Sequence, residues 1–156
     1  MRYNPIKPNG FTLVEVLVSM VILAIGLLGM AAMQATTLKS NLSAYQRSQA
    51  TQLAYEMADR IRANLIASNS YVVAEDALAG KQAAANCTTV AGCTATDMAN
   101  TDLADWYAAL IASLPLARGS IAIDGPTRVA TITIRWDENR NGLDNNDLGF
   151  SMSFQL

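Results

Sequence analysis

The segment from Phe11 to Met33 constrains this chain more than any other, because 18 of its 23 residues are apolar. As a helix rising about 1.5 Å per residue it reaches roughly 34 Å, enough for a bilayer core of about 30 Å. The ten residues before it, Met-Arg-Tyr-Asn-Pro-Ile-Lys-Pro-Asn-Gly, are polar and carry Arg2 and Lys7; Pro5 and Pro8 oppose a helix there. No Lys or Arg follows until Lys39, so the positive-inside rule predicts a cytoplasmic leader, a single pass through the inner membrane and an exported remainder. A secretory signal is cut after its apolar region, whereas the only sharp break here comes before it. A plain anchor leaves Glu15 unexplained. It is the sole charge in the run, and a carboxylate in hydrocarbon costs on the order of 2.5–3.5 kcal/mol by insertion scales, so it calls for a partner.

The rest of the 156-residue chain has room for one domain. It contains no histidine, which removes the commonest general base and transition-metal ligand. Thirteen acidic against eleven basic side chains, net −2, leave no basic surplus for a phosphate backbone, and no nucleic-acid partner is expected. A membrane-anchored envelope enzyme or ligand-binding domain is the alternative from another class. It would need convergent polar residues, and the sequence holds no serine-nucleophile motif, no glycine-rich phosphate loop and no paired carboxylates outside a turn at Asp137. An enzyme is not expected.

After Met33 polarity rises, yet no proline or glycine occurs before Gly80. Leu38, Leu42, Tyr45, Leu53, Met57, Ile61 and Leu65 recur at helical spacings and read as one amphipathic stripe. The expected organisation is a leader at 1–10, a membrane or filament-core helix at 11–33, its amphipathic continuation at 34–67 and a globular domain at 68–156. A single helix from Phe11 to Ala67 would run about 85 Å; a break into two helices is the alternative, with Gly26 and Gly29 as weak points.

The exported portion is small for burying such a stripe. Cys87 and Cys93, on the oxidising side of the membrane, read as a disulfide worth about 2 kcal/mol for so short a loop; a metal or redox pair is the minor alternative, without a C-x-x-C motif to favour it. Leu103, Trp106, Tyr107, Leu110, Ile111 and Leu114 predict a second helix stopped by Pro115 and Gly119, with Trp106 as a core anchor. Ser120–Ile123, a Gly125-Pro126 turn and Thr127–Trp136 read as a hairpin with Ala130, Ile132, Ile134 and Trp136 on one face. Leu148, Phe150, Met152, Phe154 and Leu156 alternate as a third strand, giving an α+β fold with an antiparallel meander packed on the helix. Asp137-Glu138-Asn139-Arg140-Asn141-Gly142 has oxygen donors at alternate positions, as the first half of a calcium loop does, with Asp137, Asn139 and Asn141 as ligands. Its twelfth position is Leu148 where that loop needs glutamate; Asp144, Asn145 or Asp147 are the substitutes, and a plain solvated turn fits the same residues. No other cofactor is expected.

Gly10-Phe11-Thr12-Leu13-Val14-Glu15-Val16-Leu17-Val18 is similar to the class III signal of type IV pilins and type II secretion pseudopilins. The resemblance implies the type IV pilin fold, cleavage by a prepilin peptidase between Gly10 and Phe11, N-methylation of Phe11 and an assembly role for Glu15, whose carboxylate would meet the new amine of a neighbouring subunit. The two cysteines, the Asp102-Leu103-Ala104-Asp105-Trp106 stretch, Leu114-Pro115 and Arg135-Trp136 resemble PilV-type minor pilins. That likeness implies a subunit helping to initiate the pilus, with other minor pilins, the major pilin and a tip adhesin as partners and the cell surface as destination. A minor pseudopilin of type II secretion is the alternative within the class.

Overall fold

In the computed structural model the described residues are 10–84, 87, 92–142 and 148–156. The chain divides into two compact units, Met1–Leu42 and Ser43–Leu156. In chain order the elements are α1 (Leu13–Ala63), a 3₁₀ helix (Leu65–Tyr71), α2 (Glu75–Leu78), α3 (Ala95–Ser113), β1 (Arg118–Asp124), β2 (Val129–Trp136) and β3 (Leu148–Gln155). This is a long N-terminal helix followed by a three-stranded antiparallel sheet, the α+β architecture that the resemblance to type IV pilins implies.

In the first unit α1 is apolar and exposed on every side, from Leu13 to Leu42. No break occurs at Gly26 or Gly29, so a continuous helix replaces the two-helix alternative. The expected end at Ala67 moves back to Ala63, because Asn64 leaves the helical region (φ −124°, ψ 51°) and its side-chain amide donates to the Ala95 carbonyl at 2.7 Å. A tertiary bond there outweighs local helix propensity.

In the second unit the core gathers α1 from Ala50 onward, α3 and the inner face of the sheet. Leu53, Met57 and Ile61 of the expected stripe are buried, but Leu38, Leu42, Tyr45 and Leu65 are exposed. Leu38 and Leu42 lie in the first unit, where every described residue is exposed whatever its face, and Leu65 follows the end of α1 at Ala63; within the second unit Tyr45 alone of the stripe's α1 residues points away from the buried side. That side is completed instead by Gln46, Ala50, Ala54 and Ala58, all buried.

α3 begins two turns before its expected start at Leu103, where Thr94 accepts the Asp97 N–H at 3.1 Å and caps the helix. Trp106 is the expected anchor: it is 2% exposed and its indole N–H donates to the Leu53 carbonyl at 3.1 Å, tying α3 to α1. Gly119, expected as a helix stop, lies in β1 and makes room for that ring. A Cβ there would come within 2.7 Å of Trp106 Cη2.

The sheet order is β1-β2-β3. Ala130, Ile132, Ile134 and Trp136 face inward and are buried, as their alternation predicts. On the outer face Thr131 pairs with Ser153 at 2.9 Å and Thr133 with Ser151 at 3.3 Å. Val73 exchanges two backbone hydrogen bonds with Ile121, 3.0 and 2.9 Å, and so covers part of the free edge of β1.

Candidate functional site

α1 starts where Thr12 can cap it. The Thr12 hydroxyl oxygen accepts the Glu15 N–H at 3.3 Å, and its carbonyl accepts the N–H groups of Glu15 and Val16 at 3.1 and 3.4 Å. Donors that any helix start leaves over are satisfied in this way. Thr12-Leu13-Val14-Glu15 has capping-box spacing, a signal present in the sequence beside the hydropathy pattern. Gly10 lies ahead of the helix, exposed, with open space where a Cβ would stand, and Phe11 is 83% exposed. The Gly10–Phe11 bond is therefore in accessible, non-helical chain.

Glu15 occupies the first turn of α1, where the helix dipole favours a negative charge by roughly 0.3–1 kcal/mol. That gain is smaller than the roughly 2.5–3.5 kcal/mol cost of a carboxylate in hydrocarbon. No ion pair to Glu15 forms among the described residues. α1 is long and apolar enough to cross a membrane, and none of its most apolar stretch is buried.

The remaining expected sites lie in the second unit. Cys87 and Cys93 form a disulfide, with Cα atoms 4.7 Å apart. Thr101 on α3 donates to Cys87 Sγ at 3.3 Å and accepts the Ala84 N–H at 2.9 Å, which fastens that loop to α3. Asp137 is buried, while Asn139 and Asn141 are exposed. The Asp137 carboxylate accepts the Asn141 N–H at 3.3 Å and the Gly142 N–H at 2.8 Å; Asn139 Oδ1 also accepts the Asn141 N–H, at 3.0 Å. Both Asp137 oxygens thus close their own loop, whose bend uses positive φ at Arg140 (56°) and Gly142 (69°). Asp144, Asn145 and Asp147 lie outside the described residues. Among the described residues no group of three or more His, Cys, Asp or Glu side chains could hold a metal.

A polar cluster that the sequence pattern does not announce joins α1, the 3₁₀ helix and α3. Asp102 accepts from Arg60 at 2.8 Å and from the Tyr71 hydroxyl at 2.5 Å, Arg60 also bonds Glu56 at 2.7 Å, and the Asn64 amide reaches the Tyr71 oxygen at 3.3 Å. Burial together with the hydrogen bond to Asp102 pushes the Tyr71 hydroxyl up to about 12. Burial alone would lower the Arg60 pKa, but the hydrogen bonds and charges of Glu56 and Asp102 outweigh it and raise it. Asp102 belongs to the Asp-Leu-Ala-Asp-Trp stretch, so one half of that motif locks the helices and the other, Trp106, fills the core.

A capped helix whose first 30 of 51 residues are all exposed and whose opening stretch is long and apolar enough to cross a membrane, followed in the chain by a small helix-and-sheet domain, fits the class of membrane-anchored subunits that bury this surface against other molecules. Two family comparisons narrow the class. Residues 7–31 match the prokaryotic N-terminal methylation motif, and residues 32–104 match the family described as Type IV pilin Tt1218. Together the two matches support a type IV pilin-like protein. The methylation motif implies processing by a prepilin peptidase and assembly with other pilins as a structural subunit. No match was found among curated proteins or among solved structures.

Proposed function

We infer that this chain is a minor pilin that helps initiate type IV pilus assembly, in a tip complex with other minor pilins, the major pilin and a tip adhesin. Prepilin peptidase cuts between Gly10 and Phe11, and Phe11 becomes the N-methylated first residue. Loss of the leader deletes Arg2 and Lys7 and no acid, so the formal charge moves from −2 to −4. Residues 11–33 act first as a single-pass anchor, with the domain in the periplasm, and then as filament core. The observation that best supports this reading is Glu15, a carboxylate on a bare apolar helix without an ion pair among the described residues. In a filament core of low dielectric the cationic amine of a neighbouring Phe11 would neutralise it and set the stagger between subunits. The protein has no catalytic role in this reading, and the Asp137 loop is a self-closed turn.

Deleting the gene and scoring surface pili alongside type II secretion tests the assignment. Loss of pili with secretion intact, restored by complementation, is expected; lost secretion with normal pili would move the protein to the pseudopilins. Thermal unfolding with millimolar calcium should show no shift, whereas a clear rise would assign the metal to Asp137, Asn139 and Asn141.

A further inference from the structure

Asparagine is a thermolabile residue, most of all before glycine, where no Cβ hinders the approach of the next backbone nitrogen. Asn-Gly occurs twice in the chain, as Asn9-Gly10 in the leader and as Asn141-Gly142 in the loop that follows β2. Loss of the side-chain amide there needs no enzyme and no reagent but water. The Gly142 nitrogen gives up its proton and attacks Asn141 Cγ. A succinimide ring closes as the new N–C bond forms and the Cγ–Nδ2 bond breaks, and Nδ2 takes up a proton and departs as ammonia. Water then opens the ring at either carbonyl, leaving aspartate or isoaspartate.

The loop opposes both halves of the ring-closing step. The Gly142 N–H donates to Asp137 Oδ2 at 2.8 Å, and the Asn141 N–H donates to Asp137 Oδ1 at 3.3 Å and to Asn139 Oδ1 at 3.0 Å. Peptide units are planar, so holding the N–H groups on both sides of Asn141 holds the two planes whose rotation would carry the Gly142 nitrogen onto Cγ. The nitrogen must also lose its proton, and the resulting anion would stand 2.8 Å from a carboxylate oxygen. A like charge at that distance keeps the proton on. Asp137 is only 3% exposed, so water screens the repulsion poorly. Asp137 makes no ion pair among the described residues that would account for burying its charge.

We propose that Asn141 is a latent deamidation site and that the Asp137 carboxylate keeps it shut. Asp137, which the sequence offers as a calcium ligand, is thereby a positioning residue that guards the covalent chain. Opening of the loop would add a negative charge at position 141 and, as isoaspartate, an extra methylene to the backbone leading out of β2. The guard role rests on this loop alone and not on the minor-pilin assignment.

Ageing the full chain in detergent micelles, in mildly alkaline buffer, tests it. Peptide mapping follows the aspartate and isoaspartate formed at Asn141, and an end-blocked peptide of residues 137–143 is the reference without the fold. Wild type should convert about tenfold or more slowly than the peptide, the factor to which about 1.4 kcal/mol of clamping corresponds. Asp137→Asn keeps the size of the side chain but removes its charge and one acceptor, and should bring the rate toward that of the peptide while thermal unfolding shows the domain still folded. Asn139→Ala, at an exposed position, removes only the shared acceptor and should give a smaller rise; it carries the test should Asp137→Asn fail to fold. Wild type converting as fast as the peptide overturns the proposal. So does a folded Asp137→Asn that converts no faster than wild type or, where that variant does not fold, an Asn139→Ala rate equal to that of wild type.

Discussion

Every residue from Gly10 to Leu42 is exposed, including Leu, Ile, Val and Met side chains, whereas after Ser43 side chains of the same kinds are packed beneath α3 and the sheet. Both stretches contribute to one uninterrupted helix, so helix propensity does not separate them. The nature of the surface they must meet does. In the second unit α1 turns small residues inward, Ala50, Ala54 and Ala58, which admit close neighbours, and Trp106 and Met57 fill the space. In the first unit large side chains project all round, as expected where lipid or other helices supply the partner. The lesson is that the two parts of one helix are written for different solvents.

Several substitutions can break or sharpen this contrast. The largest effect is expected at the start of the first unit: Gly10→Val should block processing entirely, leaving the chain ten residues longer by intact mass than the wild type co-expressed with a prepilin peptidase. The second unit should fail by loss of packing. Trp106→Ala removes a buried ring and its bond to Leu53, and should cost about 3–5 kcal/mol in denaturant unfolding. Gly119→Ala presses a Cβ into Trp106 and Leu110 and should cost about 1–3 kcal/mol by the same measurement. Neither change should alter membrane insertion.

The smallest effect is a pH dependence confined to the second unit. The folded Tyr71 pKa, about 12, lies above its ordinary 10, so the protonated hydroxyl stabilises the fold. That contribution is complete below pH 10 and is lost as the pH rises from 10 toward 12. The thermal midpoint of the wild type should fall faster over this range than that of Tyr71→Phe. Parallel curves would show that the Tyr71–Asp102 bond does not govern it.

Much of this contrast is legible in the sequence because it rests on large side chains. The apolar run, the alternating inward face of β2 and the Trp106 row all carry strong periodic signals, and the Cys87–Cys93 pairing follows from spacing and compartment. Small or polar residues conceal the rest. Gln46, Ala50, Ala54 and Ala58 carry too little hydrophobicity to mark the buried side, while Leu38 and Leu42, exposed with the rest of the first unit, and the exposed Tyr45 carry a stronger signal. The first turns of α3 hold Ala, Thr, Asp and Asn, and the signal that starts them is the Thr94–Asp97 cap. Asn64 ends α1 through a partner 31 residues away, and Asp102 gathers Arg60 and Tyr71 from two other elements. No local pattern encodes bonds between such distant positions.

The central claim, that Glu15 is matched by a neighbouring subunit, is tested most directly by quantitative mass spectrometry of purified filaments and membranes from cells making Glu15→Ala. Membrane levels should equal those of the wild type, while filament content falls about tenfold or more, the loss that about 1.4 kcal/mol of missing pairing produces. Equal incorporation of Glu15→Ala and wild type into filaments would contradict it.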